Sequence, residues 1–251
     1  TTGTNNNAFG RGALTVNVDS NNNSAFGDYS LQANTGGNNS GFGYRTLYTN
    51  TSGARNSAVG GVALYANTTG ADNAAVGYYA LAANTTGGQN TGLGAYSLDA
   101  NTTASYNTAL GYAALSGDTT GNSNTAVGRY AAFAVTTGSN NVAVGYGALD
   151  AETTQSGLTA VGYAALGANT GASGTVAVGY RALTANTTGN NNVAVGYDAG
   201  ASTTTGGNNT VVGTLALDAN TTASNNTAIG YQALTANTTG AGSAALGVNA
   251  L

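Results

Sequence analysis

The sequence contains no cysteine, histidine, proline, methionine or tryptophan, and its five basic residues are all arginine. Without histidine and cysteine, zinc, haem and thiol sites lack their usual ligands and nucleophiles, so we expect no metal and no cofactor. Charged residues make up 6% of the chain and the net charge is −4, without a basic cluster. A nucleic-acid partner is therefore not expected. No apolar run approaches 18 residues, so we also expect no membrane-spanning segment.

Glycine is abundant, with 40 copies in 251 residues, and one glycine recurs at a nearly constant interval. Thirteen of the fourteen intervals are 17 residues long and one is 16. This period is too short for a helix pair or a propeller blade, but it suits one coil of a β-solenoid. We predict an all-β, parallel β-solenoid of about fifteen 17-residue coils, forming a single repetitive domain over residues 1–251. The central glycines are Gly10, Gly27, Gly43, Gly60, Gly77, Gly94, Gly111, Gly128, Gly145, Gly162, Gly179, Gly196, Gly213, Gly230 and Gly247.

With the central glycine as repeat position 1, the consensus is G-Y-x-A-L-x-A-N-T-T-G-x-x-N-T-A-V. Position 17 is always large and apolar, from Phe9 to Leu246, and position 5 is leucine in thirteen of fifteen copies. We expect these two columns to form the core. Alternation in residues 227–231 predicts a strand with small residues on one face and large ones on the other. Residues 236–240, Ala-Asn-Thr-Thr-Gly, tolerate positive φ or bond to their own backbone and predict a corner.

Asparagine occupies position 14 in eight successive copies. If coils stack about 4.8 Å apart, these amides lie above one another and can bond along the axis. We predict a structural ladder that includes Asn56, Asn73, Asn90, Asn107, Asn124 and Asn141.

Tyrosine recurs at position 2, and four consecutive coils carry it. A column of stacked rings can pack in a subunit interface and stiffen the assembly. The alternative is a contact stripe for carbohydrate or for another surface. The candidate residues are Tyr146, Tyr163, Tyr180 and Tyr197.

The nine acidic residues offer no catalytic pair. Asp99, Asp150 and Asp218 share position 6, but they are three or more coils apart, about 14 Å or more along the axis. That separation is too large for the paired carboxylates of a glycosidase. Asp150 and Glu152 are expected in a solvated corner. We expect no catalytic residue and no enzymatic activity.

The Ala-Val-Gly core at residues 177–179 and the Ala-Ile-Gly core at residues 228–230 are each followed by an alanine three residues on and an Asn/Thr/Gly corner. They resemble the head repeats of trimeric autotransporter adhesins. Strings such as Asn-Thr-Ala-Val-Gly-Tyr-x-Ala-Leu are equally similar to the repetitive shafts of tailed-phage fibres. The resemblance covers essentially the whole chain. It implies a left-handed parallel β-roll, three chains about one axis, and an extended fibre outside the cell, on its surface or on a virion.

The sequence thus favours a self-associating structural fibre, a homotrimer or filament, that adheres to cell-surface carbohydrate. One alternative is an ice- or surface-binding solenoid that uses its threonine and asparagine ranks. Another is an extracellular filament subunit whose ends stack. Because the pattern continues to both ends without capping repeats, we expect an uncapped excerpt of a longer array. The Asn-Thr-Thr corners, such as residues 67–69, also match the glycosylation acceptor pattern.

Overall fold

The computed structural model describes residues 2–251, which form two units, residues 2–124 and residues 125–251. Each repeat contributes one three-residue strand, and residues 2–251 contain no helix. The strands are parallel and the coils that carry them are stacked. This confirms the predicted all-β, parallel β-solenoid.

The first unit contains seven strands, which pair in chain order. Their register does not slip, so that Ala58 lies beside Ala75 and Val59 lies beside Val76. The strands are β1 (Asn7–Phe9), β2 (Ser24–Phe26), β3 (Ser40–Phe42), β4 (Ser57–Val59), β5 (Ala74–Val76), β6 (Thr91–Leu93) and β7 (Thr108–Leu110).

The second unit contains eight strands with the same order and register, as in the pairing of Ala160 with Ala177. They are β8 (Thr125–Val127), β9 (Val142–Val144), β10 (Thr159–Val161), β11 (Val176–Val178), β12 (Val193–Val195), β13 (Thr210–Val212), β14 (Thr227–Ile229) and β15 (Ala244–Leu246).

The core combines the middle residue of each strand with the leucine at position 5. Ala75 and Leu81 are completely buried, as are Ala177 and Leu183. The prediction that position 5 lies in the core is therefore confirmed. The prediction for position 17 is wrong, because these side chains point outward and Phe42 is 41% exposed. Position 17 neighbours a buried alanine in the strand, so the alternation of side chains places it on the outer face.

The backbone bends at the predicted corner, as at Thr68 and Thr69, and it also turns at positions 2–7 of the repeat. Within residues 2–251, the left-handed non-glycine residues lie at positions 3, 5 and 13, and none lies at positions 8–11. The position-5 leucines are among them, with a φ of 52° at Leu81. A left-handed residue costs about 1–2 kcal/mol, but burial of a leucine side chain contributes about 1.5–3 kcal/mol. The Asn-Thr-Thr-Gly segment does bond to its own backbone as expected, since Asn67 Nδ2 donates to the Gly70 carbonyl at 2.9 Å.

Within a unit, main-chain hydrogen bonds connect a coil to the coil before it and to the coil after it. The Gly60 N–H donates to the carbonyl of Phe42 in the preceding coil at 2.8 Å. The Ser57 N–H donates in the other direction, to the carbonyl of Asn73, at 2.8 Å. The polar groups of a backbone with so little side-chain bulk are thereby paired along the axis.

The central glycine is required for two separate reasons. At Gly196 φ is +142°, a conformation that residues with a Cβ essentially do not adopt. A Cβ built on Gly196 would also lie 2.6 Å from the carbonyl oxygen of Gly213 in the next coil. Close approach of one coil to the next therefore depends on this column of glycines.

We expect Gly196→Ala to lower the free energy of unfolding by several kcal/mol, because it combines backbone strain with overpacking against Gly213. Gly157→Ala is the matched control. Gly157 has a φ of +73°, and no other part of the described chain lies within 4 Å of its added Cβ. This control should cost about 1 kcal/mol. Urea unfolding followed by circular dichroism measures both, and equal losses would show that the contact between coils is unimportant.

Candidate functional site

The six asparagines of the predicted ladder are buried, and the side-chain oxygens of five of them accept a main-chain N–H of the next coil: Asn56, Asn73, Asn90, Asn107 and Asn141. Asn56 Oδ1 accepts the main-chain N–H of Asn73 at 3.0 Å, and its Nδ2 donates to the Gly70 carbonyl at 2.8 Å. Each amide therefore joins its own coil to the next mainly through main-chain groups. The buried residues are Asn56, Asn73, Asn90, Asn107, Asn124 and Asn141.

The position-14 column tolerates other residue types because its acceptor bonds to a main-chain group. Asn107 Oδ1 accepts the main-chain N–H of Asn124 at 2.8 Å in the first unit. In the second unit, Asn141 Oδ1 accepts the N–H of Leu158 at 2.9 Å. A leucine at position 14 thus still donates its main-chain N–H to the asparagine of the preceding coil.

A second column, at position 8, is a direct chain of side-chain amides that the sequence analysis did not predict. Asn67 Nδ2 donates to Asn50 Oδ1 at 2.6 Å, and Asn84 Nδ2 donates to Asn67 Oδ1 at 2.7 Å. Asn101 continues the chain by donating to Asn84 at 2.7 Å. Recurrence of asparagine at this position was the available signal. The same burial makes these Asn-Thr-Thr asparagines inaccessible to glycosylation in the folded chain.

Asp118 occupies position 8 in the first unit and is completely buried. Burial raises the pKa of this carboxyl to about 7, although its hydrogen bond from the Gly121 N–H acts in the opposite direction. Its second oxygen accepts from Asn107 Nδ2 at 3.0 Å. Asn101 Oδ1, the preceding acceptor in the column, is buried and finds no hydrogen-bond partner within residues 2–251. The chain of amide donors is interrupted here, because an aspartate side chain has no amide N–H to donate to Asn101.

Glu152 occupies position 8 in the second unit, and its burial corrects the expectation of a solvated corner. Its Oε1 accepts the main-chain N–H groups of Thr153, Thr154 and Gln155, each at 2.8 Å. Its Oε2 accepts from Asn169 Nδ2 at 2.8 Å. Asp150 is half-buried, and desolvation raises its pKa. Four hydrogen bonds thus hold the Glu152 carboxyl in a structural position.

Exposed acids form ion pairs between coils. Arg55 Nε donates to Asp72 Oδ1 at 2.6 Å, and a terminal guanidinium nitrogen donates to Oδ2 at 2.8 Å. The hydrogen bond from Arg55 lowers the pKa of Asp72. Among residues 2–251, no three metal-binding side chains lie close enough together to hold an ion. No helix in that range has the length and apolar character needed to cross a bilayer.

The four tyrosines of the candidate stripe stack along the second unit. Their ring centroids are 5.4, 5.1 and 5.0 Å apart in chain order, and their planes are nearly parallel. Each ring is about half exposed. Such a surface combines apolar faces with hydroxyl groups and suits either a subunit interface or a contact surface. The members are Tyr146, Tyr163, Tyr180 and Tyr197.

The position-9 threonines use their hydroxyl protons within the solenoid. Thr51 Oγ1 donates to the carbonyl of Thr68 at 2.9 Å, and Thr85 Oγ1 donates to that of Thr102 at 2.9 Å. These hydroxyls therefore support the stacking of coils, and only their acceptor capacity remains for bound water.

Asp118 should make stability depend on pH. Because burial raises the folded-state pKa from 3.8 to about 7, the folded chain binds this proton more tightly than the unfolded chain. Its contribution is fully present below about pH 4 and declines as the pH rises to about 7. Asp118→Asn should remove this decline and stabilise the chain at pH 8 by up to about 4 kcal/mol. Urea unfolding at pH 4, 6 and 8 measures the effect. Asp19→Asn, at an exposed acid, is the control, and a loss of stability between pH 4 and pH 8 that is as large in Asp118→Asn as in the parent chain would contradict the assignment.

Replacement of Glu152 tests its structural role. Glu152→Ala leaves three main-chain N–H groups and Asn169 Nδ2 without their acceptor, so it should cost about 3–5 kcal/mol. Glu152→Gln retains one carbonyl oxygen for the main-chain donors and should cost about 1–2 kcal/mol. Unfolding midpoints of the two variants measure the difference. Variants as stable as the parent chain would show that the four bonds contribute nothing net.

Comparisons with protein-family models, with curated proteins and with solved structures find no match to this chain. The adhesin and phage-fibre resemblance therefore stays a prediction, while the β-solenoid itself is established by the strand pairing.

Proposed function

We propose that this chain is a structural fibre segment, the shaft or head of a fibre outside the cell, on its surface or on a virion. In this proposal it associates with copies of itself as a left-handed, three-chain β-roll and has no catalytic residue. The observation that carries the proposal is the outward-facing column of large apolar side chains at position 17.

The position-17 column is unusually apolar for a surface that faces water. In the first unit, Phe42 is 41% exposed and Val76 is 40% exposed, in strands whose middle residues are buried. Phe26 and Phe42 stack with their centroids 5.1 Å apart. Contiguous exposed apolar surface is typical of a protein-protein contact. Because small alanines fill the coil interior, the larger side chains remain available for lateral packing against another chain.

The tyrosine columns supply a second feature that fits an adhesive fibre. In the second unit, Tyr163 and Tyr180 lie outside the core, with rings stacked at 5.1 Å. Adhesion to cell-surface carbohydrate through this stripe accompanies the structural role. Ice or mineral binding gains less support, because the threonine hydroxyls donate to the backbone of the next coil.

Lysine substitutions on the outer face test self-association. The parent chain should show the mass of three chains by analytical ultracentrifugation, and Phe42→Lys and Val76→Lys should shift it toward the single-chain mass. Burial of a lysine charge in an apolar interface without a partner is the physical reason. Gln89→Lys, at an exposed position 13, is the matched control and should leave the assembly intact. A parent chain that stays monomeric over the micromolar range would contradict the proposal.

Tyrosine accessibility distinguishes an interface from a contact stripe. If Tyr163 and Tyr180 face solvent in the assembly, tetranitromethane should nitrate them at the same rate in the assembly as in the Val76→Lys monomer. Peptide mass spectrometry measures both rates. Strong protection in the assembly alone would place the rings in a subunit interface and remove the carbohydrate stripe from the proposal.

A further inference from the structure

In the first unit, a small residue interrupts the tyrosine column at position 2, and another ends a pair of stacked tyrosines at position 6. At position 2, Gly61 lies between Tyr44 and Tyr78 in successive coils. At position 6, Tyr65 is followed one coil later by Ala82. Each small residue leaves the space that a ring occupies elsewhere in the repeat.

A groove of about 800 Å³ lies where these interruptions adjoin each other. The small side of its lining comes from Gly61, Val62 and three alanines, Ala66, Ala82 and Ala83. Its aromatic lining comes from four rings, and two charged residues complete it. The volume is within the range of about 300–1,000 Å³ that is common for small-molecule sites. The aromatic and charged residues are Tyr44, Tyr65, Tyr78, Tyr79, Arg45 and Asp99.

Tyr65 presents one ring face to this groove. Its other face stacks on Tyr48, with centroids 5.2 Å apart and planes at 6°. In an uninterrupted column the next coil covers the second face, as Tyr197 covers Tyr180 in the second unit. Since the next coil has Ala82 at this position, the second face of Tyr65 is uncovered. A flat ring of suitable size can stack there.

Arg45 provides a fixed hydrogen-bond donor in the groove lining. Its guanidinium carbon lies 5.1 Å from the ring centroid of Tyr44 and 5.4 Å from that of Tyr48. These cation-π contacts restrain the side chain. Its Nε is buried and has no hydrogen-bond partner anywhere in the described part of the chain. The terminal N–H groups of the same guanidinium can donate to a ligand oxygen in the groove.

Asp99 provides an acceptor three coils away. Its Oδ1 accepts from Ser116 Oγ at 2.6 Å, and burial raises the pKa of its carboxyl. At about 4.8 Å per coil, Arg45 and Asp99 are separated by about 14 Å along the axis. The groove therefore has a donor toward one end, an acceptor toward the other and aromatic rings between them.

We propose that this groove binds a short oligosaccharide of two or three pyranose rings. A pyranose has an apolar face whose C–H groups carry slight positive charge and are attracted to the negative face of a tyrosine ring. Its hydroxyl groups both donate and accept, so one sugar can satisfy Arg45 and another can satisfy Asp99. The first sugar stacks on the uncovered face of Tyr65. This site is separate from the tyrosine stripe at residues 146–197, and it deepens the adhesive part of the proposed function.

Saturation-transfer NMR and calorimetry with the full chain test the proposal. The probes are maltotriose, cellotriose and N,N′,N″-triacetylchitotriose, and the tripeptide Gly-Trp-Gly represents an aromatic peptide as the occupant. We expect at least one trisaccharide to bind the parent chain. Ala82→Tyr extends the stack over Tyr65 and fills the groove, so it should weaken that binding at least about tenfold. Tyr65→Ala should weaken it to a similar extent.

Ala201→Tyr is the matched control, because Ala201 has the same repeat position and is also half-buried, but lies in the second unit. The affinity of Ala201→Tyr for the trisaccharide should equal that of the parent chain. Unfolding midpoints should show that Ala82→Tyr and Ala201→Tyr both fold. No trisaccharide binding, binding that survives Ala82→Tyr, or binding of Gly-Trp-Gly alone would overturn the proposal.

Self-association is scored separately on the same samples. A chain that assembles but binds no trisaccharide would refute the groove and leave the fibre. A monomer that binds a trisaccharide would refute the fibre and leave the groove. Loss of trisaccharide binding in Tyr163→Ala, with binding retained in Ala82→Tyr, would assign the carbohydrate to the stripe and overturn this site.

Discussion

Contact between the backbones of successive central glycines determines how closely the coils approach. A side chain at Gly60 would meet the Gly77 carbonyl oxygen at 2.7 Å, so the spacing between coils exists only without a Cβ here. The other axial interactions depend on that spacing. Main-chain bonds of about 2.8 Å, amide chains at position 8 and tyrosine stacks near 5 Å all require neighbouring coils at the same separation and in the same register.

The small interior explains where apolar and polar groups lie. Alanine and leucine occupy the inside of each coil, and bulkier strand residues such as Phe42 remain outside. Buried asparagine side chains bond to main-chain N–H and carbonyl groups that have no main-chain partner in the turns. At position 8, two carboxyls replace asparagines. The two buried carboxyls are accommodated in different ways. Asp118 retains its proton toward neutral pH, whereas Glu152 accepts four N–H bonds.

The 17-residue period was sufficient to predict the solenoid, its parallel register and the buried leucines, because a stacked repeat must place equivalent residues together. It was not sufficient for position 17, since apolar character alone does not tell which face of a three-residue strand is inside. The left-handed conformation of Leu81 runs against its backbone preference and follows from packing. Asp118 and Glu152 share position 8 in the sequence, but only the amide chain around them reveals their burial. The groove beside Tyr65 exists because residues 61 and 82 are glycine and alanine. A consensus sequence does not show such departures in single copies of the repeat.

The position-8 amide chain has a direction. One Nδ2–H of each asparagine from Asn50 to Asn101 donates to the Oδ1 of the preceding coil, so the amide dipoles are aligned head to tail. Aligned dipoles sum, as they do along a helix, and hydrogen bonds in such a chain polarise one another. The oxygen of Asn101 is the negative end, and the next member of the column is Asp118. The amide chain therefore gives this part of the first unit an electrostatic polarity along the coil axis, with its negative end at Asn101 Oδ1.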